Sequence, residues 1–187
     1  MGAMGLLLSL YLAQGLPGGF LTQALPAILR EYHVPLGWIG FSGILLAPAA
    51  VKFLWAPLVD RHFSTRLGLA RSWILPTQLL AIALLFGVSA FHPEQLQTPR
   101  GLALFFSLLL VLVFAGATQD IASDGLNVRL LAPAHRQWGN AVQVVGSRLG
   151  QIIGGGGVLL GVGAVWWQTG SVFSAGRGTL ENIFATR

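Results

Sequence analysis

Apolar residues recur along the chain in five long runs, at 5–28, 37–57, 72–91, 101–131 and 138–165, separated by short polar links. A stretch of about 20 apolar residues is what a helix needs to cross the hydrocarbon core of a bilayer. The pattern therefore predicts five membrane-spanning helices, the fourth with a polar second half. The links contain Arg30, Glu31 and His33, then 60–71, then 92–100, then 132–137. Links this short join helices that are neighbours in space.

Basic residues set the expected orientation, because cytoplasmic loops carry an excess of Lys and Arg. Arg61, Arg66, Arg71, Arg129 and Arg136 fall in the second and fourth links or at their edges, against only Arg30 and Arg100 in the first and third. That bias predicts a cytoplasmic N-terminus, a cytoplasmic 60–71 loop, and a tail outside. The N-terminal run lacks a basic leader and is too long for a signal-peptide core. Leu6 stands where myristoylation needs Ser or Thr.

Composition narrows the class further. Of 187 residues, 54% are apolar and 9% charged, with mean hydropathy +0.71. Soluble domains carry about 25% charged residues, so a soluble single domain and a disordered chain are both excluded. The net charge of +5 comes from ten Arg and one Lys scattered without a basic run, so no nucleic-acid face is expected. With no cysteine there is no disulfide framework, thiolate nucleophile or Cys-type zinc site. The expected class is an all-α integral membrane protein, with the lipid bilayer as its first partner and neither metal nor cofactor.

Ionisable groups inside a span are expensive and point to function. Asp120, Asp124 and Asn127 fall at i, i+4 and i+7 of the fourth span and share one helical stripe. Two carboxylates this close in a low dielectric repel, and one proton between them relieves the repulsion, as a coupling site requires. Hydration at the interface, or pairing with Arg129, is the alternative reading, weighed equally for Asp124. Arg148 in the fifth span also needs a partner. Asp120 lies 14 residues before the centre of the 132–137 link and Arg148 lies 14 after it. Equal depth in a helical hairpin makes Asp120–Arg148 the expected pair. Gln151 extends that polar face. Lys52 stands within two turns of a span end and reads as a side chain snorkelling to water.

The first span carries Tyr11, Gln14, Gly18 and Thr22 on one stripe, interrupted by Pro17-Gly18-Gly19. A broken helix with a polar stripe suits a cavity wall. Expected lining residues are Tyr11, Gln14, Thr22, Gln119, Asn127 and Gln151. In the fifth span Gly146, Gly150 and Gly154 recur every four residues, and Gly157 and Gly161 repeat the spacing. Such rows let helices approach closely in lipid. The glycines are not a phosphate loop, which needs a preceding strand and a following Lys or Ser.

Asp60-Arg61 followed by Arg66, Gly68 and Arg71 resembles the loop signature of the major facilitator superfamily, with Ala56-Pro57 in place of its leading Gly. Three segments make the resemblance more specific. They are Tyr11-Leu12-Ala13-Gln14-Gly15-Leu16-Pro17, Lys52-Phe53-Leu54-Trp55-Ala56-Pro57-Leu58-Val59-Asp60-Arg61 and Ala117-Thr118-Gln119-Asp120-Ile121-Ala122-Ser123-Asp124. Together they look like the AmpG-type muropeptide permeases and the related acetyl-CoA transporter group, over roughly residues 5–165. The resemblance implies part of an N-terminal six-helix half, and proton-driven import of muropeptides or other amphipathic solutes across a bacterial inner membrane. It makes Asp120 and Asp124 coupling or charge-pairing residues, and Asp60, Arg61, Arg66 and Arg71 a cytoplasmic gate loop. The Asp124-Gly125-Leu126-Asn127 run departs from the family's pattern.

A facilitator has two six-helix halves with the substrate between them. Residues 1–165 read as part of the first half, and 166–187 as a divergent tail with no run of 17 apolar residues. A fragment boundary or frameshift is the expectation, with the missing half or partner helices supplied elsewhere. The competing reading is a non-transporting membrane subunit that packs on a partner through its glycine-rich helix. An intramembrane protease is disfavoured, because such enzymes draw their two aspartates from different helices. No enzyme activity is expected.

Overall fold

The computed structural model describes residues 2–32, 34–64, 66, 68–161 and 163. The expected divergent tail, 166–187, lies outside the described residues, as does the end of the fifth run. Helices account for nearly all of the described chain, and no strand occurs among the described residues. The physical reason is that lipid offers no hydrogen-bond partner, so each segment must satisfy its own backbone.

The first span, Ala3–Glu31, is 29 residues long and consists of α1 (Ala3–Gly19), a π-helical turn at Phe20–Ala24, and α2 (Leu25–Glu31). Pro17 sits inside α1 and cannot donate to the preceding turn, and the widened turn follows directly. The second span is broken more severely. It runs as α3 (Leu36–Phe41), a 3-10 turn at Ser42–Leu46, α4 (Ala47–Val51) and a second 3-10 turn at Lys52–Leu54, and α5 (Ala56–Arg61) follows. Pro48 and Pro57 each open a new helical segment.

Next come α6 (Gly68–Ser89), the short α7 (Pro93–Leu96) and α8 (Pro99–Leu130). Gly68 takes φ 76°, a left-handed conformation that suits glycine, where the loop turns into α6. Thr98 caps α8 by accepting the Gly101 N–H at 3.1 Å. Last is α9 (Arg136–Ile152), extended by a second π-helical turn at Ile153–Gly157.

Among the described residues four helical stretches are long and apolar enough to cross a membrane: Ala3–Glu31, Leu36–Leu54, Gly68–Ser89 and Pro99–Leu130. The fifth expected span is helical from Arg136 but falls short of that apolarity among the described residues. Gln143, Arg148 and Gln151 dilute it.

Neighbour contacts give the helix directions. Thr77 meets Gln119, and Gly87 meets Leu108, so α6 and α8 are antiparallel. Tyr11 meets Asp124 and Gln14 meets Asp120, so α1 is also antiparallel to α8. Trp38 lies against Phe106 (ring centroids 5.7 Å apart), whereas Lys52 reaches Asp120, so the second span runs parallel to α8. Gly146 faces Leu8, Tyr11 and Leu12, Gly150 faces Leu12 and Gly15, and Gly154 faces Leu16. Thus α9 runs parallel to α1, and the two π-helical turns meet near Gln23 and Gly155.

Half of the α8 span is buried, so α8 is the post around which the others pack. One apolar cluster joins Leu21, Leu25 and Leu29 to Phe105, Phe106, Leu109 and Leu112. A second joins Val59 and Ile74 to Ile121 and Ala122. On the same turns of α8 as the second cluster lies a polar slab. The outer surface is apolar, with Phe53, Leu79 and Phe86 all exposed, as a lipid-facing belt requires.

Candidate functional site

The polar slab is built on α8 at Gln119, Asp120, Ser123 and Asp124. Lys52, from the 3-10 turn of the second span, forms an ion pair with Asp120 Oδ2 and lies 3.6 Å from Asp124 Oδ2. Gln14 Nε2 donates to Asp120 Oδ1 at 2.7 Å. The Tyr11 hydroxyl donates to Asp124 Oδ1 at 3.1 Å and is 3.4 Å from the Ser123 carbonyl. Gln143 Nε2 of α9 donates to Asp124 Oδ1 at 2.9 Å. Three spans and α9 thus converge on two carboxylates.

The charges in this cluster do not balance. One ammonium serves two carboxylates, leaving one formal negative charge on a cluster packed between apolar helices. The Asp120 side chain is 25% exposed and that of Asp124 is 40% exposed, so both retain an opening from the protein. Beside the cluster, Trp55 Nε1 donates to Thr118 Oγ1 at 3.3 Å, and its ring stacks on Phe114 at 4.5 Å. Three acceptors near the carboxylates, Gln14 Oε1, Ser123 Oγ and Asn127 Oδ1, are buried without a hydrogen-bond partner.

The expected Asp120–Arg148 pair is not formed. Arg148 is exposed and donates to Gln151 Oε1 of its own helix at 3.2 Å. The reason is azimuth. Gly146 and Gly150 turn toward α1, and Arg148, two residues from each, points about 200° away at 100° per residue. Lys52, read from sequence as a snorkelling side chain, takes the place given to Arg148. It is the only lysine in the chain, and prolines at 48 and 57 flank it in an otherwise apolar segment. That isolation was the available signal. Gln143 was missed because it looked like one more polar position on a mixed helix.

Of the expected cavity residues, Gln14 and Gln119 line a cavity of about 460 Å³ between α1, α4, α6 and α8. Tyr11 and Asn127 are buried below it in the polar slab, so they do not face that space. Thr22 is exposed and donates to the Gly18 carbonyl of its own helix at 2.8 Å. Gln151 lies over Gly19 instead.

In the glycine row, Gly146, Gly150 and Gly154 are buried against α1, whereas Gly157 and Gly161 are exposed and touch no neighbouring helix. The π-helical turn shifts the face there, and Gly155 takes the inward position against Gln23. On the opposing helix, Gly15 and Gly19 complete the contact. The loop residues Asp60, Arg61, Arg66 and Arg71 are all exposed, and the ion pairs of the charged cluster do not include them. Among the described residues no three His, Cys, Asp or Glu side chains converge as a metal site would require.

The chain is similar to several known proteins. It is 36% identical over 163 residues to an uncharacterized protein of Haemophilus influenzae, covering 86% of this chain and 37% of that protein. It is 34% identical over 152 residues to the anhydromuropeptide permease of Escherichia coli, covering 81% and 30%. An uncharacterized membrane protein of Saccharomyces cerevisiae is 30% identical over 166 residues, covering 78% and 29%. The chain thus spans about a third of the length of these relatives. No solved structure matches it. Residues 3–159, which include every helix that reaches the charged cluster, match the acetyl-coenzyme A transporter 1 family, and the chain belongs to that family.

Proposed function

We propose that this chain forms the N-terminal part of a proton-coupled secondary transporter that imports muropeptide-like or other amphipathic solutes. The observation that carries this reading is the unequal cluster of Lys52, Asp120 and Asp124. A single proton neutralises its excess charge. Protonation of either carboxyl changes which one Lys52 holds, and Lys52 sits on a segment already broken into short helical pieces. A proton at Asp120 therefore weakens the tie between the second span and α8, which is the kind of differential contact that shifts a conformational equilibrium. The name of the Escherichia coli relative supports the solute class. The competing subunit reading needs a free glycine face, whereas Gly146, Gly150 and Gly154 pack on α1 within the chain.

The test joins residues 3–159 to the remaining two-thirds of the Escherichia coli permease and assays labelled anhydromuropeptide in proteoliposomes. Accumulation under an inward proton gradient is expected, abolished by a protonophore and reduced at least about a hundredfold in Asp120→Asn, the scale on which essential proton-transfer groups act. Uptake indifferent to both treatments sinks the reading. The 187-residue chain alone is expected to accumulate nothing, since alternating access needs a second bundle to rock against.

The proposed setting is a bacterial cytoplasmic membrane with the N-terminus inside, from the basic-residue bias. The chain has no cysteine, so single thiols report cleanly. Ser64 and Gln97 are exposed in successive loops. An impermeant thiol reagent added outside is expected to label Gln97→Cys and spare Ser64→Cys. The reverse pattern inverts the topology.

A further inference from the structure

The cavity of about 460 Å³ is unusual in what lines it. Its walls are apolar, among them Leu16, Leu85 and Leu112, yet three glutamines from three helices enter it: Gln14 of α1, Gln78 of α6 and Gln119 of α8. No charged side chain lines it among the described residues. The volume falls in the range of small-molecule sites, which combine apolar walls with a few convergent polar groups. Gln14 has its Nε2 committed to Asp120 at 2.7 Å, whereas Gln78 makes no side-chain hydrogen bond with a described residue and is half-buried. Gln119 is 5% exposed, with only a long contact of 3.5 Å from Thr77 to its Oε1.

We propose that this cavity binds the uncharged, amide-bearing acyl portion of an amphipathic ligand. A hydrocarbon tail would fill the volume but leave the carboxamides unsatisfied, which is costly away from water. An ionised group would be buried against a lining with no opposite charge. A carboxamide meets both demands, since it donates and accepts without net charge. Its carbonyl accepts from a glutamine N–H of the lining and its N–H donates to a glutamine carbonyl there, with Gln78, half-buried on α6, the least committed of the three. The alkyl part then lies against the leucines. Binding of this kind needs no proton gradient, so its outcome is read separately from that of transport.

The experiment uses the full chain in lipid nanodiscs. The probe is a medium-chain primary alkylamide carrying a photoactivatable diazirine at its tail, and attachment sites are mapped by mass spectrometry. Unlabelled competitors of equal length are the primary amide, the carboxylate and the plain alkane. Labelling is expected within 13–21, 78–85 and 112–119, with the amide competing about tenfold better than either analogue, the scale of one or two net hydrogen bonds. The double variant Gln78→Leu with Gln119→Leu is expected to erase that advantage while the alkane still competes. Ala81→Trp, which fills the space, is expected to abolish labelling. Equal competition by the alkane would make the cavity a lipid-tail void and overturn the proposal. So would preference for the carboxylate, or labelling confined to other segments. The wild-type competition series decides the matter even if a variant fails to fold.

Discussion

Lys52→Met is expected to destabilise the folded chain by about 2–4 kcal/mol, and Asp120→Asn in the same chain to restore most of that loss. Removing one partner of a buried pair typically costs 3–5 kcal/mol, because the remaining charge is left uncompensated. Here the figure is set lower, since the carboxylates keep 25% and 40% of their side-chain surface exposed and are partly screened. The single change leaves two like charges facing each other across one helical turn of α8, while the double change leaves one. Arg148→Met is expected to cost less than about 0.5 kcal/mol, as for an exposed group without a tertiary partner. Thermal midpoints in detergent, followed by size-exclusion chromatography, separate these cases. A neutral Lys52→Met beside a damaging Arg148→Met would return the buried pair to Arg148 and contradict the geometry.

Gly150→Leu is expected to cost about 3 kcal/mol, the upper range for overpacking a closed contact. A Cβ at Gly150 meets the Leu12 carbonyl and comes within 2.8 Å of the Gly15 Cα, so backbone rather than a movable side chain must give way. Separating α1 from α9 also draws Gln143 from Asp124, so the charged cluster loosens with the packing. Gly161→Ala is the control. It meets nothing within 4 Å and is expected to be neutral, or to gain up to about 1 kcal/mol from helix propensity. Equal midpoints for the two variants would show that the row at 146–154 is not a packing surface.

Run length and spacing made much of this legible. Four spans, their alternation and the Asp120–Asp124 stripe all follow from periodicity along single helices. What periodicity does not carry is the direction a face takes toward other helices. Asp120 and Arg148 stand at equal depth in the hairpin, yet depth leaves rotation about the helix axis undetermined, and α9 turns its glycines rather than its arginine inward. Lys52 departs from the snorkelling expectation for a related reason. A residue near a span end snorkels if the helix is regular, but two prolines break this segment and direct the ammonium to α8. The glycine row was legible as a close contact, and its partner glycines on α1 were hidden among residues that also explain a kink. Its outer two members, Gly157 and Gly161, leave the contact because a π-helical turn changes the period locally.

Those π-helical turns have a consequence for the pair of helices that contain them. A π-turn adds a residue to one helical turn and so advances the phase of everything beyond it. An insertion in one helix alone would rotate its later residues off the shared seam. Here Phe20–Ala24 and Ile153–Gly157 lie side by side, and the same numbering offset of 132 joins Gly19 to Gln151 and Gln23 to Gly155. With a π-turn on each side, the seam keeps its register into the turns and runs from Gly146 through Gly155. Deleting one residue from either turn breaks that synchrony, and deleting one from both preserves it.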